Sequence, residues 1–450
     1  MDPVLCAQEV TGRSTTRGHR ATADADAIAF RVSPWLTRRS LLSAFVFLIL
    51  LFLYAVPFSS PLAGWPLGEL LINYQGGFVR RGLLGELIFQ ASSNFDLSPI
   101  TLLRALFVIL SILNILVFVS LSSVEGRLIK RLPLLFAPAL LLFPVYDLAA
   151  YGRKDMITTA LLGIHALIAQ QTLLRRFSPG SYRTLLVAVI IPLLAANVLT
   201  HDVQVFFIPF HFIITWQIYQ EYGGRARRYI LPSYLPVVGV SLLPVIFGGT
   251  RDIAIAVCNS WHGLIDSFGY CPAGNESFGD LVNSGIKALG WSIQKPIGHT
   301  RTLLQNAQAT KLFLVSFVLS VVPFFILYRL SDLYRKSDTK STRGLGFLLP
   351  ISLLAPLALF VIGGWDYGRW IHLITAALFA ITYANPRLVN VRVPFDAVVE
   401  GATRKELLPY SLLAALYVGA WYVPHCCEPS SIYGGMHEAL ETSFGVFFGG

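Results

Sequence analysis

Charged residues are scarce in this sequence of 450 amino acids, of which they make up 13%, while hydrophobic residues make up 54%. In a typical soluble domain about a quarter of all residues are charged. The composition therefore excludes an ordinary soluble protein and is typical of a membrane protein. The formal net charge of +10 does not indicate nucleic-acid binding, because the basic residues lie in short segments between apolar runs and form no single basic stripe.

Cysteine is also rare, and the familiar nucleotide-binding motifs are missing. Five cysteines without metal-ligand spacing exclude a disulfide scaffold and predict no metal site. Cys258 and Cys271 favour a disulfide in an oxidising compartment, but Cys426 and Cys427 leave the pairing open. Walker, Rossmann, serine-elbow and zinc-helix patterns are absent from the sequence, which excludes the usual cytoplasmic nucleotide chemistry. We expect no cofactor, with a divalent metal left open.

Long hydrophobic runs are what the sequence has in abundance. About 20 apolar residues cross a bilayer as a helix, because every backbone polar group must be hydrogen-bonded within the segment. The sequence therefore predicts an all-α, polytopic transmembrane helical bundle with about eleven spans. These spans are predicted near residues 40–58, 100–122, 132–150, 156–173, 184–200, 203–220, 229–247, 311–329, 345–363, 370–384 and 407–423.

Lysine and arginine are unevenly divided between the two sides of this bundle. With a cytoplasmic N-terminus, 24 of the 35 fall in cytoplasmic segments, as the positive-inside rule requires. This orientation predicts a disordered cytoplasmic tail over 1–39, a bundle over 40–423 and an outer C-terminal tail over 424–450. It also predicts two long outer loops, over 59–99 and 248–310, and loops of such length are usually functional.

Four clusters of charged residues interrupt the hydrophobic stretches, and all four are predicted to lie at the outer face. They are Arg80–Arg81, residues 151–155, His201–Asp202 and residues 365–370. Charges at these places are costly and oppose the positive-inside bias, so we interpret them as parts of one functional site.

The basic residues of the first two clusters indicate phosphate binding. Arg80 and Arg81 present two guanidinium groups, which bind phosphate oxygens bidentately and stay charged in apolar surroundings. Arg153 carries a planar guanidinium and Lys154 a compact ammonium group, and the two together suit a diphosphate. The alternatives are interfacial anchoring for the arginine pair and a self-compensating ion cluster for residues 151–155.

Asp155, His201, Asp202 and Asp366 are the candidates for taking a proton from an acceptor hydroxyl, since each lies in one of the clusters. Asp202 has a structural alternative, because an aspartate at this position can cap the helix that follows. No single carboxylate stands out among the four candidates.

Aromatic residues in the fourth cluster are compatible with sugar binding. Trp365 and Tyr367 lie beside Asp366 and Arg369, and rings that stack on sugar faces next to such polar groups occur in carbohydrate sites. The alternatives are an interfacial aromatic belt and a simple i,i+3 ion pair.

The order of these features resembles bacterial membrane proteins of glycan assembly, namely the GT-C glycosyltransferases and the O-antigen polymerases and ligases. The resemblance covers about residues 40–420 and is architectural: many spans, two long outer loops, and charged residues gathered outside. GT-C enzymes use a carboxylate in or near the first outer loop, where this sequence has Asn73-Tyr74-Gln75 and no acidic pair. The polymerases and ligases rely on outer arginines and histidine, which Arg80, Arg81, Arg153 and His201 match in type. The resemblance implies an inner-membrane location.

The sequence therefore predicts an integral membrane glycosyltransferase or polysaccharide polymerase of the cell envelope. Its partners would be a sugar donor on a polyprenyl phosphate or diphosphate, a glycan or lipid acceptor, and the membrane, but no nucleic acid. One alternative is a transporter or flippase for an anionic lipid or small molecule. The absence of internal repeats and the low charge at the centres of the spans argue against it. A second alternative is a non-enzymatic assembly subunit.

Overall fold

A computed structural model of the chain describes residues 34–433 apart from 63, 124–127, 223–229, 266–284, 293, 331–339, 390–403, 428 and 430. Within these residues the fold is helical, and the only pairing of extended segments is an isolated bridge between Trp421 and Tyr433. The predicted cytoplasmic tail lies almost entirely outside the described residues, as do Cys271 and most of the predicted C-terminal tail.

The helices follow one another closely along the chain. In the first half they are α1 (Pro34–Leu53), α2 (Ala55–Ser59), α3 (Gly64–Leu70), α4 (Leu83–Phe95), α5 (Pro99–Ser122), α6 (Leu128–Leu135), α7 (Phe143–Tyr146), α8 (Asp155–Leu173), α9 (Pro179–Leu185), α10 (Ile191–Thr200) and α11 (Ile208–Tyr222). In the second half they are α12 (Ile230–Ser241), α13 (Leu243–Ile246), α14 (Arg251–Ser260), α15 (Gln294–Gln305), α16 (Ala307–Leu330), α17 (Lys340–Leu357), α18 (Leu359–Ile362), α19 (Tyr367–Ala384), α20 (Pro386–Val389) and α21 (Arg404–Gly419).

Four helices of the described residues are long and apolar enough to cross a membrane. They are Pro99–Ser122, Asp155–Leu173, Pro179–Thr200 (α9 and α10, joined by a π-helical turn) and Ala307–Arg329. A fifth span results if Ile230–Ile246 and Arg251–Ser260, which meet at an angle of 101°, form one broken span. The prediction of an all-α fold is therefore confirmed for the described residues, and these helices are candidate membrane spans by their length and composition. The number of eleven spans and the orientation stay predictions.

The region of the predicted span 132–150 differs from a single helix. The chain forms α6, a series of turns, the short α7 and a 3₁₀ turn. Pro138 lies in the turns and Pro144 in the first turn of α7. Proline has no amide hydrogen to donate and clashes with the preceding turn, so an uninterrupted helix is disfavoured here. The predicted outer loop 248–310 likewise contains α14 and α15.

The core of the bundle is built around α8 and α19. α8 packs against α5, α11 and α19, while α19 also packs against α16, and nearly every residue of α19 is buried. Gly163 of α8 faces Val117 and Phe118 so closely that a methyl group would collide with their side chains. The tight packing of α5, α8 and α19 fixes the beginnings of α8 and α19, at which charged residues lie.

A second, smaller core holds α3, α4 and α14 against this bundle. Its centre is Trp261, which is fully buried and donates a hydrogen bond from Nε1 to the carbonyl of Leu71 at 2.8 Å. Gly85 of α4 lies against the carbonyl of Ile72, with no room for a Cβ atom. These contacts fix the segment between α3 and α4, which carries Arg80 and Arg81.

Candidate functional site

The four charged segments of the sequence, together with Glu69, meet at one end of the bundle. This end is formed by α3, the loop after it, the start of α8, the turn after α10 and the start of α19. We call the group the charged cluster; it comprises Glu69, Arg80, Arg81, Arg153, Lys154, Asp155, His201, Asp202, Asp366 and Arg369.

Asp155 lies at the centre of the buried part of the charged cluster. Arg369 donates to it from two nitrogens, Nε to Oδ2 at 2.6 Å and Nη2 to Oδ1 at 3.1 Å. His201 Nε2 lies 2.9 Å from Oδ1 of the same carboxylate. All three residues are at most 3% exposed. As the first residue of α8, Asp155 is also favoured by the partial positive charge of the helix N-terminus.

Glu69 is the second buried carboxylate, and the sequence predicted no specific role for it. Arg153 Nη1 lies 3.2 Å from Oε2, and Arg81 Nη1 lies 3.4 Å from Oε1. Burial alone would raise the pKa of Glu69, but Arg369, Arg81 and Arg153 outweigh this and hold the pKa well below its usual range. The signal available in the sequence was a single glutamate within an otherwise apolar stretch before Leu70 and Leu71.

Arg80, Arg81 and Asp202 form a more accessible part of the charged cluster. Arg81 Nε donates to Asp202 Oδ1 at 2.8 Å, and Arg80 Nη1 lies 3.7 Å from Oδ2. Burial tends to raise the pKa of Asp202, but the two arginines lower it below its usual range. Asp202 thus pairs with arginine, and the N-cap of the 3₁₀ segment that it begins is His201, whose side chain makes no capping hydrogen bond.

Arg153 and Lys154, predicted to hold a diphosphate together, both lie in the buried part. Arg153 binds Glu69, and Lys154 donates from Nζ to the carbonyl of Arg81 at 2.9 Å. Lys154 is fully buried, and this burial lowers its pKa to about 7, although Glu69 acts in the opposite direction. Arg81 adopts a left-handed conformation, with φ of 66°, which sends its carbonyl to Lys154 and its side chain to Asp202.

Asp366 lies at the accessible edge of the charged cluster. Arg369 Nη1 donates to its Oδ2 at 2.7 Å, so the i,i+3 pair forms, but the same guanidinium also reaches Asp155. Trp365 is 38% exposed and stacks on His299 with a centroid distance of 4.3 Å. Tyr367 is buried, and its hydroxyl donates to the carbonyl of Phe360 at 2.6 Å.

The charged cluster therefore has two layers. Glu69, Arg153, Lys154, Asp155, His201 and Arg369 are enclosed, whereas Arg80, Arg81, Asp202 and Asp366 are between 18% and 28% exposed at their side chains. The cluster holds five basic side chains and four carboxylates, a formal excess of one positive charge when Lys154 is counted as protonated and His201 as neutral. Among the described residues, no group of three or more His, Cys, Asp or Glu is placed to hold a metal ion.

A second polar group lies inside the bundle, where the sequence predicts little charge. His165 Nδ1 lies 2.9 Å from His211 Nδ1, and His165 Nε2 lies 2.9 Å from the Tyr182 hydroxyl. That hydroxyl lies 3.0 Å from Thr215 Oγ1, which lies 2.8 Å from the Tyr234 hydroxyl. Tyr234 donates to the carbonyl of His211, which closes a ring of hydrogen bonds between α8, α9, α11 and α12.

The ring permits one order of protons when both histidines are neutral. Tyr234 uses its proton on the carbonyl of His211, so Thr215 must donate to Tyr234, and Tyr182 must donate to Thr215. His165 then donates from Nε2 to Tyr182 and accepts at Nδ1 from His211. This order leaves Nε2 of His211 unprotonated, and that atom is buried without a partner in the described structure.

Comparison with known proteins gives no family assignment: no family model, no curated protein and no solved structure matches the chain.

Proposed function

We propose that the protein is an integral membrane glycosyltransferase or polysaccharide polymerase of the bacterial inner membrane. Its donor is a sugar on a polyprenyl phosphate or diphosphate, and the transfer takes place at the extracytoplasmic face. The observation that carries the proposal is the charged cluster, in which segments from both halves of the chain meet at one end of the bundle. Ionisable residues gathered at the end of membrane helices usually mark a functional site.

The distribution of Lys and Arg supports an extracytoplasmic position for the charged cluster. The loops that the eleven-span topology places in the cytoplasm carry most of the basic residues, and the cluster lies at the opposite ends of the same helices. Nucleotide sugars are scarce outside the cytoplasm, and the sequence has no nucleotide-binding motif. A lipid-linked donor meets both conditions.

Arg80 and Arg81 are the residues that would bind the phosphate of the donor. Within the charged cluster, Arg80 makes only weak contacts with carboxylates: Nη2 donates to the carbonyl of Ala288 at 3.2 Å, Nη1 is 3.7 Å from Asp202, and Nε has no partner in the described structure. Arg369, by contrast, uses all three nitrogens on carboxylates. The excess positive charge of the cluster complements an anionic ligand.

Asp366 is the carboxylate that we assign as the general base. Oδ2 accepts from Arg369, while Oδ1 has no hydrogen bond within the described part of the chain. Asp155 and Glu69 are enclosed, and Asp202 has a guanidinium near each oxygen. Asp366 would take the proton of the acceptor hydroxyl while the hydroxyl oxygen forms its bond to the anomeric carbon of the donor sugar. The bond from that carbon to the phosphate oxygen breaks, and Arg80 and Arg81 stabilise the departing phosphate.

The enclosed layer has a positioning role in this proposal. Asp155 fixes Arg369 and His201, and Arg369 in turn fixes Asp366. Groups held in this way need little reorganisation when charge develops on the leaving phosphate, which is the main source of electrostatic catalysis. Trp365 is the accessible aromatic ring beside Asp366 and the candidate for stacking on a sugar.

The test is a turnover assay with the full-length protein in lipid nanodiscs. Polyprenyl-phosphate and polyprenyl-diphosphate sugars are offered with a glycan acceptor, and release of the free lipid phosphate is measured. Arg80→Ala should lower the rate by about 10²-fold or more, because a charge-stabilising group is lost. Arg301→Ala, which removes an exposed arginine of α15 outside the cluster, is the matched control. Wild-type turnover by Arg80→Ala, or no turnover with any lipid-linked sugar, would contradict the proposal.

The ring around His165 and His211 favours a second candidate, a proton-coupled transporter of an anion. Nε2 of His211 is a free proton acceptor inside the bundle, as such coupling requires. Flux of a radiolabelled lipid-linked sugar across proteoliposomes, driven by a pH gradient and abolished in His211→Phe, would support transport. Absence of both flux and turnover would support the assembly subunit.

A further inference from the structure

We propose that Cys426 and Cys427 form a thiol–disulfide exchange site that controls the segment lying over the start of α19. The two neighbouring cysteines are disulfide-bonded to each other. They belong to the residues after α21, of which 420–427, 429 and 431–433 are described. We call these residues the C-terminal strap. The proposal goes beyond the proposed function and does not depend on it.

The C-terminal strap is a folded turn. The amide of Tyr422 donates to the carbonyl of Ile432 at 2.7 Å, beside the bridge between Trp421 and Tyr433. Trp421, Val423 and Ile432 are buried, so one side of the strap belongs to the core of the bundle. The cysteines lie between these anchors in the sequence, and Cys427 is exposed.

His425 attaches the strap to two places near the charged cluster. Its amide and its Nδ1 lie 2.8 and 2.7 Å from Oδ2 of Asp147, and its carbonyl accepts from the amide of Gly368 at 3.2 Å. Gly368 has no room for a Cβ atom, because the carbonyl of Pro424 lies directly against it. The strap is thus fitted closely to the first turn of α19, which carries Arg369.

The disulfide lies one residue further on, where the backbone of the strap contacts the residue before Asp366. The amide of Cys427 donates to the carbonyl of Trp365 at 3.3 Å. Cys427 has φ of 70°, in the left-handed region that a residue with a Cβ atom rarely adopts. The disulfide ring between adjacent residues restricts the backbone there. When the ring opens, Cys427 is free to return to an ordinary conformation and its amide to leave Trp365.

Accessibility distinguishes this disulfide from the other one. Cys427 is exposed to solvent, whereas Cys258, which is also disulfide-bonded, is 1% exposed. The partner of Cys258 lies outside the described residues. Since exchange requires attack by a thiolate on an accessible sulfur, the pair in the strap is the one that a dithiol can reach.

The chemistry is a balanced exchange with a dithiol reductant. One thiolate of the dithiol attacks a sulfur of the 426–427 disulfide, which gives a mixed disulfide and releases the other cysteine as a thiolate. The second thiol of the reductant then displaces the remaining cysteine. The protein gains two thiols and the reductant becomes a disulfide. A disulfide oxidant reverses both steps.

The test combines alkylation with amide hydrogen exchange on the full-length protein in detergent. Dithiothreitol is titrated, free thiols are alkylated, and the cysteines are identified by peptide mass spectrometry. We expect the 426–427 pair to be reduced at a lower dithiothreitol concentration than Cys258. Exchange at the amides of Gly368 and Cys427 should then rise by about tenfold, while the centre of α8 is unchanged.

The Cys426→Ser/Cys427→Ser variant is the control and should show the faster exchange without reductant. Three results would overturn the proposal: both cysteines alkylated without reductant, either of them bonded to another cysteine, or exchange unaltered by reduction. If the variant does not accumulate, the titration of the wild-type protein decides alone. None of these measurements uses glycan transfer, so they fail or succeed independently of the proposed function.

Discussion

Arg369 donates two hydrogen bonds to Asp155 across 214 residues of sequence, and both side chains are buried. The pair links the start of α19 to the start of α8, the two helices at the centre of the bundle. A charge left alone at this position has no solvent to stabilise it.

Replacing Arg369 alone with Met should therefore destabilise the protein by about 3–5 kcal/mol, since Asp155 remains charged and loses its main partner. Asp155→Leu alone should also destabilise the protein, because the buried guanidinium of Arg369 then keeps only its hydrogen bond to Asp366. The double variant should be more stable than either single variant, as thermal unfolding in detergent followed by size-exclusion chromatography would show. Additive losses in the double variant would contradict the pairing.

Asp366→Asn should lower turnover by about 10²–10⁴-fold, because the amide cannot take a proton from the acceptor hydroxyl. The variant keeps an oxygen that accepts from Arg369, so folding should be unaffected. Initial rates with a lipid-linked sugar, measured beside Asp252→Asn from α14, would test this. Equal rates in the two variants would exclude Asp366 as the base.

Gly85→Ala should destabilise the small core by about 1–3 kcal/mol, because the added Cβ atom would collide with the backbone carbonyl of Ile72. Gly239 is the matched control, since it also lies in a helix but a methyl group added to it would meet no atom within 4 Å. Gly239→Ala should be neutral or stabilising, by up to about 1 kcal/mol from helix propensity. Apparent melting temperatures of the two variants should therefore move apart.

Thr215→Val should destabilise the bundle by about 1–3 kcal/mol, because Tyr182 loses its acceptor and Tyr234 its donor. Thr375→Val is the matched control, because Thr375 is as buried as Thr215 but its hydroxyl donates only to the carbonyl of Ile371 in its own helix. A smaller loss of thermal stability is expected for it. Identical losses would mean that the ring contributes nothing beyond a single buried hydroxyl.

The attachment of the C-terminal strap should weaken in acid. Burial raises the pKa of Asp147, but hydrogen bonds from His425 outweigh this and lower it below the usual carboxyl value. A lowered pKa stabilises the folded state above the ordinary value, about pH 4, and this contribution is lost as the pH falls through the folded-state value. Limited proteolysis after Gly419 should accelerate over that range in the wild-type protein. Asp147→Asn should be cleaved faster at neutral pH, with less dependence on acid.

The hydropathy of the sequence predicted the apolar helices and located the charged residues between the apolar runs, because both features depend on local composition. The partners of these charges could not be predicted: Asp155 pairs with Arg369, and Glu69 with Arg153, through packing of helices that are distant in sequence. Glu69 was not predicted as a site residue because the pattern expected for the first outer loop was a pair of acidic residues, and Glu69 is a single glutamate.

Two prolines and two histidines within the predicted spans were visible in the sequence, but the high hydrophobicity of these spans decided their assignment. Pro138 and Pro144 indicated a break within the predicted span 132–150, and the structure has turns there. His165 and His211 carry no formal charge at neutral pH, so they did not count against an apolar span. Their hydrogen bonds become visible only when α8 and α11 are packed together.

The sequence separation of Asp155 and Arg369 has a consequence for folding during synthesis. During synthesis α8 is complete long before α19 leaves the ribosome, because Arg369 follows Asp155 at a distance of 214 positions in the sequence. His201, the other side chain that is hydrogen-bonded to Asp155, follows it at a distance of only 46 positions and is synthesised earlier than Arg369. The docking of α19 is thus the step that brings the guanidinium of Arg369 to the Asp155 carboxylate. A chain that ends before Arg369 would keep this carboxylate without its bidentate partner, so the start of α8 depends on a residue that is synthesised late.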